Sequence, residues 1–160
     1  MISNRRASLL DRVLVGCFAV FAFTSLVMEP YVVFGLDLHR AGDPLAAAWL
    51  FYATRWDPAF LEPPLFLRVM CGIDCFVFGP FYLVLIYAFV RRRDWIRAPA
   101  LVFVGAVVYS TLVYFGWEFV SERGRADWPM VVLVNVPYTL VPLVLAARMW
   151  HPRPFAHAAS

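Results

Sequence analysis

Apolar positions run almost unbroken through four stretches, roughly 13–36, 64–90, 98–120 and 128–150, separated by segments that hold most of the charges and turn-forming residues. About 20 apolar residues rising 1.5 Å each cross ~30 Å of hydrocarbon, so the pattern predicts four membrane-spanning helices. Pro63-Pro64 and Pro99 fall at helix starts, where a missing N–H costs little. Pro80, Pro137 and Pro142 interrupt spans and are expected to bend them, with Gly79-Pro80 widening the bundle by a kink. Trp56, Trp95, Trp117, Trp128 and Trp150 lie near the predicted ends, as residues of an interfacial belt do.

Composition agrees with the pattern. Of 160 residues, 62% are hydrophobic and 16% charged, with a mean hydropathy of +0.71, which excludes an ordinary soluble domain. The expected fold class is an all-α integral membrane protein, a four-transmembrane-helix bundle around an intramembrane ligand cavity. No repeat or polar linker divides it, so residues 1–160 read as a single domain. The first span is too long for a signal peptide, lacks a small-residue cleavage site and contains Glu29, so it reads as retained.

Every basic residue among the fourteen is Arg, a usage that fits genomic base composition, and the net charge of +3 calls for no nucleic acid. Arg5, Arg6 and Arg12 precede span one, Arg91, Arg92, Arg93 and Arg97 join spans two and three, and Arg148 and Arg153 follow span four. The opposite side sets Arg40, Arg55, Arg123 and Arg125 against six acids, so both termini are expected to be cytoplasmic. The membrane would be the plasma or inner membrane of a bacterium, or the endoplasmic reticulum of a eukaryote. Cys17, Cys71 and Cys75 lie in apolar runs without zinc or disulfide spacing, and no metal or cofactor motif is present. Arg68 reads as snorkelling to the headgroups and Glu118 as interfacial.

Chemistry enters with the polar residues inside the spans. Glu29 lies about seven residues, ~10 Å, from the outer end of span one, and Asp74 ten residues, ~15 Å, from the same surface. Asn135 falls seven residues below it, with Tyr138 one turn further on the same face. An ionisable group at such depth costs ~2.5–3.5 kcal/mol to insert, so it faces the bundle interior or a wet cavity. The bland alternative is that these groups only hydrogen-bond one another and fix helix packing.

The order Trp56-Asp57-Pro58, Glu62-Pro63-Pro64, Asp74, Tyr87-Ala88-Phe89, Trp95-Ile96-Arg97-Ala98-Pro99 and Asn135-Val136-Pro137-Tyr138 with Pro142 resembles the EXPERA family. That family comprises the emopamil-binding protein, a sterol Δ8–Δ7 isomerase, and the sigma-2 receptor. The resemblance implies a four- or five-helix bundle whose cavity opens to the lipid and accepts sterol-like or cationic amphiphilic ligands. By position it makes Glu29, Asp57 and Asp74 the functional acids and Asn135 with Tyr138 a polar–aromatic pair. Gly79-Pro80 looks like the isomerase branch and Tyr138 like the receptor branch. The isomerase-like members carry a His one turn before the first acid, whereas Ser25 stands here and His39, His151 and His157 lie in loops or the tail.

Two readings follow. In the first, the protein is an isomerase or cyclase for a sterol-like or isoprenoid lipid: Asp74 protonates an alkene, Glu29 stabilises the carbocation and accepts a proton, and Asp57 orients or relays from the loop at the cavity mouth. Ser25, Asn135, Tyr138, Tyr114 and Phe78 would line the ligand site. In the second, the same acids in an aromatic pocket bind a protonated amine without catalysis. A homodimer is compatible with either, and a proton-coupled transporter would require one to build alternating access.

Overall fold

The computed structural model describes residues 8–155. Arg5, Arg6 and His157, which entered the orientation and histidine arguments, lie outside the described residues. Five helices carry the fold: α1 Leu9–Val33, α2 Pro44–Arg55, α3 Leu65–Val90, α4 Arg97–Ser121 and α5 Trp128–Arg148. All but α2 are long and apolar enough to cross a membrane, and the protein is an all-α integral membrane protein.

Local chemistry sets the boundaries. Ser8 caps α1 by accepting from the Asp11 N–H at 3.1 Å, so the helix starts four residues before the predicted span. At its far end Gly35 takes φ +62°, Gly35 N–H bonds Val32 O and Leu36 N–H bonds Tyr31 O, a two-bond terminus that requires the left-handed residue. Asp43 accepts from Leu45 and Ala46 N–H and Pro44 occupies the first turn, which is why α2 begins there. The sequence reading assigned no helix to this segment.

α1 packs along α3, and α4 along α5. Fully buried Ala88 and Ala100 let backbones approach where lipid provides no hydrophobic drive between helices. One core, around Phe18, Tyr82, Leu85, Phe103 and Leu145, fills the half nearest the arginine-rich turns. A second, around Trp49, Phe60, Leu67, Tyr114 and Val131, fills the half nearest the long loops. Large apolar side chains such as Val102, Tyr109 and Val120 point outward, an arrangement suited to acyl chains.

Arginines assigned only to topology also hold the structure together. Arg148 pairs with Asp11 at 2.8 Å, donates to Pro154 O at 2.6 Å and lies 5.2 Å from the Phe155 ring centre. Arg97 donates to Met149 and Trp150 carbonyls, closing the end of α5.

Candidate ligand cavity

Glu29 and Asp74 belong to two related departures from α-helical geometry. Within α1, residues Thr24–Met28 form a π turn, and Glu29 N–H bonds Thr24 O. Within α3, residues Asp74–Phe78 form another, and Gly79 N–H bonds Asp74 O. Each is followed, one residue on, by a proline, Pro30 or Pro80. Proline removes one N–H and crowds the carbonyl four residues earlier, and widening the preceding turn relieves both effects inside a medium with no water to help.

The two seven-residue stretches are Thr24–Pro30 and Asp74–Pro80. The acid is sixth in one and first in the other. Because α1 and α3 run in opposite directions, this reversal puts both carboxyls at the same level, toward the long loops, where the end of α1 meets the start of α3. The turns touch at Gly79, where an added Cβ would sit 2.8 Å from Leu26 Cδ2 and 3.1 Å from Ser25 Cβ. The expected widening at Gly79-Pro80 is therefore replaced by a close approach, with the distortion taken up in the π turn.

Between the two cores lies a cavity of about 210 Å³. Glu29, Asp74, Asn135, Tyr138, Tyr114 and Phe78 all line it. The two acids are near enough for their charges to interact, the Cys71 thiol lies against Glu29, and Glu29 Oε2 has no hydrogen-bond partner among the described residues. Tyr138 exchanges a 2.7 Å hydrogen bond with Thr24, the first residue of the α1 π turn, and stacks on Phe21 at 4.3 Å. The Asn135 amide donates to Val131 O at 2.8 Å and to the Tyr52 hydroxyl at 3.1 Å, leaving its carbonyl oxygen for the cavity.

Ser25 and Asp57 stand elsewhere. Ser25 is buried beside Gly79, and its hydroxyl has no partner among the described residues. Asp57 is fully buried behind the cavity wall rather than at its mouth. Its Oδ2 accepts from Tyr114 at 2.5 Å and faces the Tyr52 hydroxyl at 3.5 Å, while Oδ1 accepts from Ala59 N–H. Burial holds its carboxyl above the ordinary aspartate range, against the opposing pull of Tyr114 and Ala59. Burial, reinforced by Asp57, also keeps the Tyr52 hydroxyl neutral. Glu118, expected at the interface, is only 2% exposed.

The residues missed in the sequence come chiefly from α2 and the turn after it. Trp49, Tyr52 and Phe60 form one wall of the cavity, and Trp49 Nε1 ties α2 to α1 through Met28 O at 2.7 Å, one residue before Glu29. The signal was present: Asp43-Pro44 is a helix-start pair, and Trp49 and Tyr52 are three apart, on one face.

A bundle of four spans with acids on a shared, largely apolar cavity defines a membrane protein that handles a lipid-like molecule. The EXPERA (EXPanded EBP superfamily) model matches residues 44–149, and the chain belongs to that family. It is 23% identical over 147 residues to isomeliandiol synthase of Ailanthus altissima, covering 88% of this chain and 70% of the relative. It is 22% identical over 157 residues to a probable 3-beta-hydroxysteroid-Delta(8),Delta(7)-isomerase of Arabidopsis thaliana, covering 94% of this chain and 70% of the relative.

Proposed function

We propose that the protein is an intramembrane isomerase or cyclase that moves a carbon–carbon double bond, or closes a ring on one, in a sterol-like or isoprenoid lipid. The observation that carries this reading is the pair Glu29 and Asp74, set level by two π turns on the wall of an aromatic cavity. The names of both relatives, a sterol isomerase and a synthase, support the same class.

Asp74 gives a proton to one alkene carbon, forming a C–H bond and a carbocation. Glu29 stabilises that cation and removes a proton from a nearby carbon, forming the shifted double bond, so no net proton is consumed. The faces of Tyr138, Trp49 and Phe60 favour positive charge, and Asn135 orients the ligand through its carbonyl oxygen. Asp57 acts at one remove by holding Tyr52 and Tyr114. A cavity of about 210 Å³ is smaller than common ligand pockets of ~300–1,000 Å³, which suits enclosure of the reacting part of an elongated lipid. By the positive-inside rule, the excess of arginine at the opposite end supports a cytoplasmic position for that end and an outer-half position for the cavity.

The test is incubation of membranes containing the protein with a Δ8-sterol and an isoprenoid panel in heavy water, followed by mass spectrometry. Asp74→Asn and Glu29→Gln should each lower deuterated product by about 10²-fold or more. No acid-dependent product across the panel, combined with acid-dependent binding of a cationic amphiphile, would overturn catalysis in favour of a sigma-2-receptor-like binding protein.

A further inference from the structure

Tyr114, Glu118 and Glu122 are spaced by four along α4 and its end, and so lie on one face. Glu122, 8% exposed, pairs at 3.2 Å with Arg125, whose side chain is 66% exposed. One turn deeper, Glu118 lies beside Asp57, and neither of its oxygens has a hydrogen-bond partner among the described residues. Asp57 then meets Tyr114 and Tyr52, and both tyrosines line the cavity. Polar groups thus succeed one another from the end of α4 beside the long loops to the cavity wall.

A buried carboxyl with no donor is an unfavourable packing element: an unpaired charge is strongly disfavoured there, and an apolar residue would fill the same space without that penalty. Two carboxyls side by side without a cation between them are stable when they share a proton, and a shared proton can pass from one to the other. Hydroxyls such as those of Tyr52 and Tyr114 both accept and donate, so they can hand it on without becoming charged.

We propose that Glu122, Glu118 and Asp57, with Tyr114 and Tyr52 at the inner end, form a proton path joining the aqueous surface at the long loops to the cavity. This rests on the proton-transfer reading of Glu29 and Asp74. The isomerisation returns as many protons as it takes, so the path supplies no reactant. It sets whether the proton delivered to the alkene comes from water or is the one just removed from the substrate.

The experiment uses the full chain in liposomes, a Δ8-sterol probe and heavy water, and reads deuterium per product molecule, a ratio unaffected by the amount of folded enzyme. Glu118→Gln and the more superficial Glu122→Gln should each lower that ratio by about threefold or more relative to the wild type, as loss of a relay group does. An unchanged ratio in both variants overturns the path. If no sterol is turned over, the function reading fails separately, and the path is judged by infrared spectroscopy on transfer to heavy water. The remaining protonated-carboxyl band should shift more slowly in Glu118→Gln than in the wild type. Equal rates, or no protonated-carboxyl band, overturn the proposal.

Discussion

Gly79→Ala tests whether the contact between the two π turns sets the geometry of the acids. The new Cβ would lie 2.8 Å from Leu26 Cγ and Cδ2, whereas ordinary contact begins near 3.4 Å, so Leu26 must withdraw by about 0.6 Å. Ser25 Cβ, at 3.1 Å, must also give by a few tenths of an ångström, and it moves only with the α1 backbone. Overpacking of this kind costs about 1–3 kcal/mol, and replacing helical glycine by alanine returns about 1 kcal/mol. The net loss should be about 1 kcal/mol, a fall of ~2–4 °C in the unfolding temperature of detergent-solubilised protein. The sign is decisive in a double-mutant cycle. In a Leu26→Ala background the steric conflict is largely gone, so Gly79→Ala should become neutral or stabilising, with a coupling of about 1–3 kcal/mol. The same effect of Gly79→Ala in both backgrounds would refute the argument that Leu26 and Gly79 define the approach of α1 to α3.

Asp11→Asn leaves the half-buried Arg148 without its carboxylate and should cost about 1.5–3 kcal/mol, read by thermal or denaturant unfolding. For Asp57, burial raises the folded carboxyl above its unfolded value, so its contribution is full at low pH and is lost as pH rises through the folded value. Stability should therefore decline as pH rises above the ordinary aspartate value of about 3.9, more steeply in the wild type than in Asp57→Asn, and equal slopes would count against this accounting. Trp49→Phe removes the donor to Met28 O and should cost about 1 kcal/mol, with weaker retention of a fluorescent sterol; tighter or unchanged retention would show that this tie does not shape the ligand site.

The spans were legible because hydrocarbon imposes a length on every helix that crosses it, and counting at 1.5 Å per residue sufficed to group Glu29, Asp74, Asn135 and Tyr138, which line one cavity. What counting along separate helices could not supply was rotation. Asp57 and Glu118 were placed at a mouth and an interface because polar residues near span ends usually meet water, yet both are drawn inward beside Tyr114. Ser25 shares a helix with Glu29 at a spacing of four, but the wider π turn between them breaks the rule that such residues share a face. Prolines signal a disturbance in a helix without saying whether it becomes a bend, a gap or a π turn, so the close contact at Gly79 was readable only with its neighbour in place. α2 was passed over because its twelve residues are too few to span a membrane, although its capping signals were intact.

The clasp between Asp11 and Arg148 joins residues 137 positions apart, so all four spans must be synthesised before either finds the other. Asp11 stands at the start of α1 and Arg148 at the end of α5, so the carboxylate precedes its partner by the length of all four spans. Arrival of α5 then locks α1 in register with it, so the pairing that ties these two helices forms only once all four spans are in place.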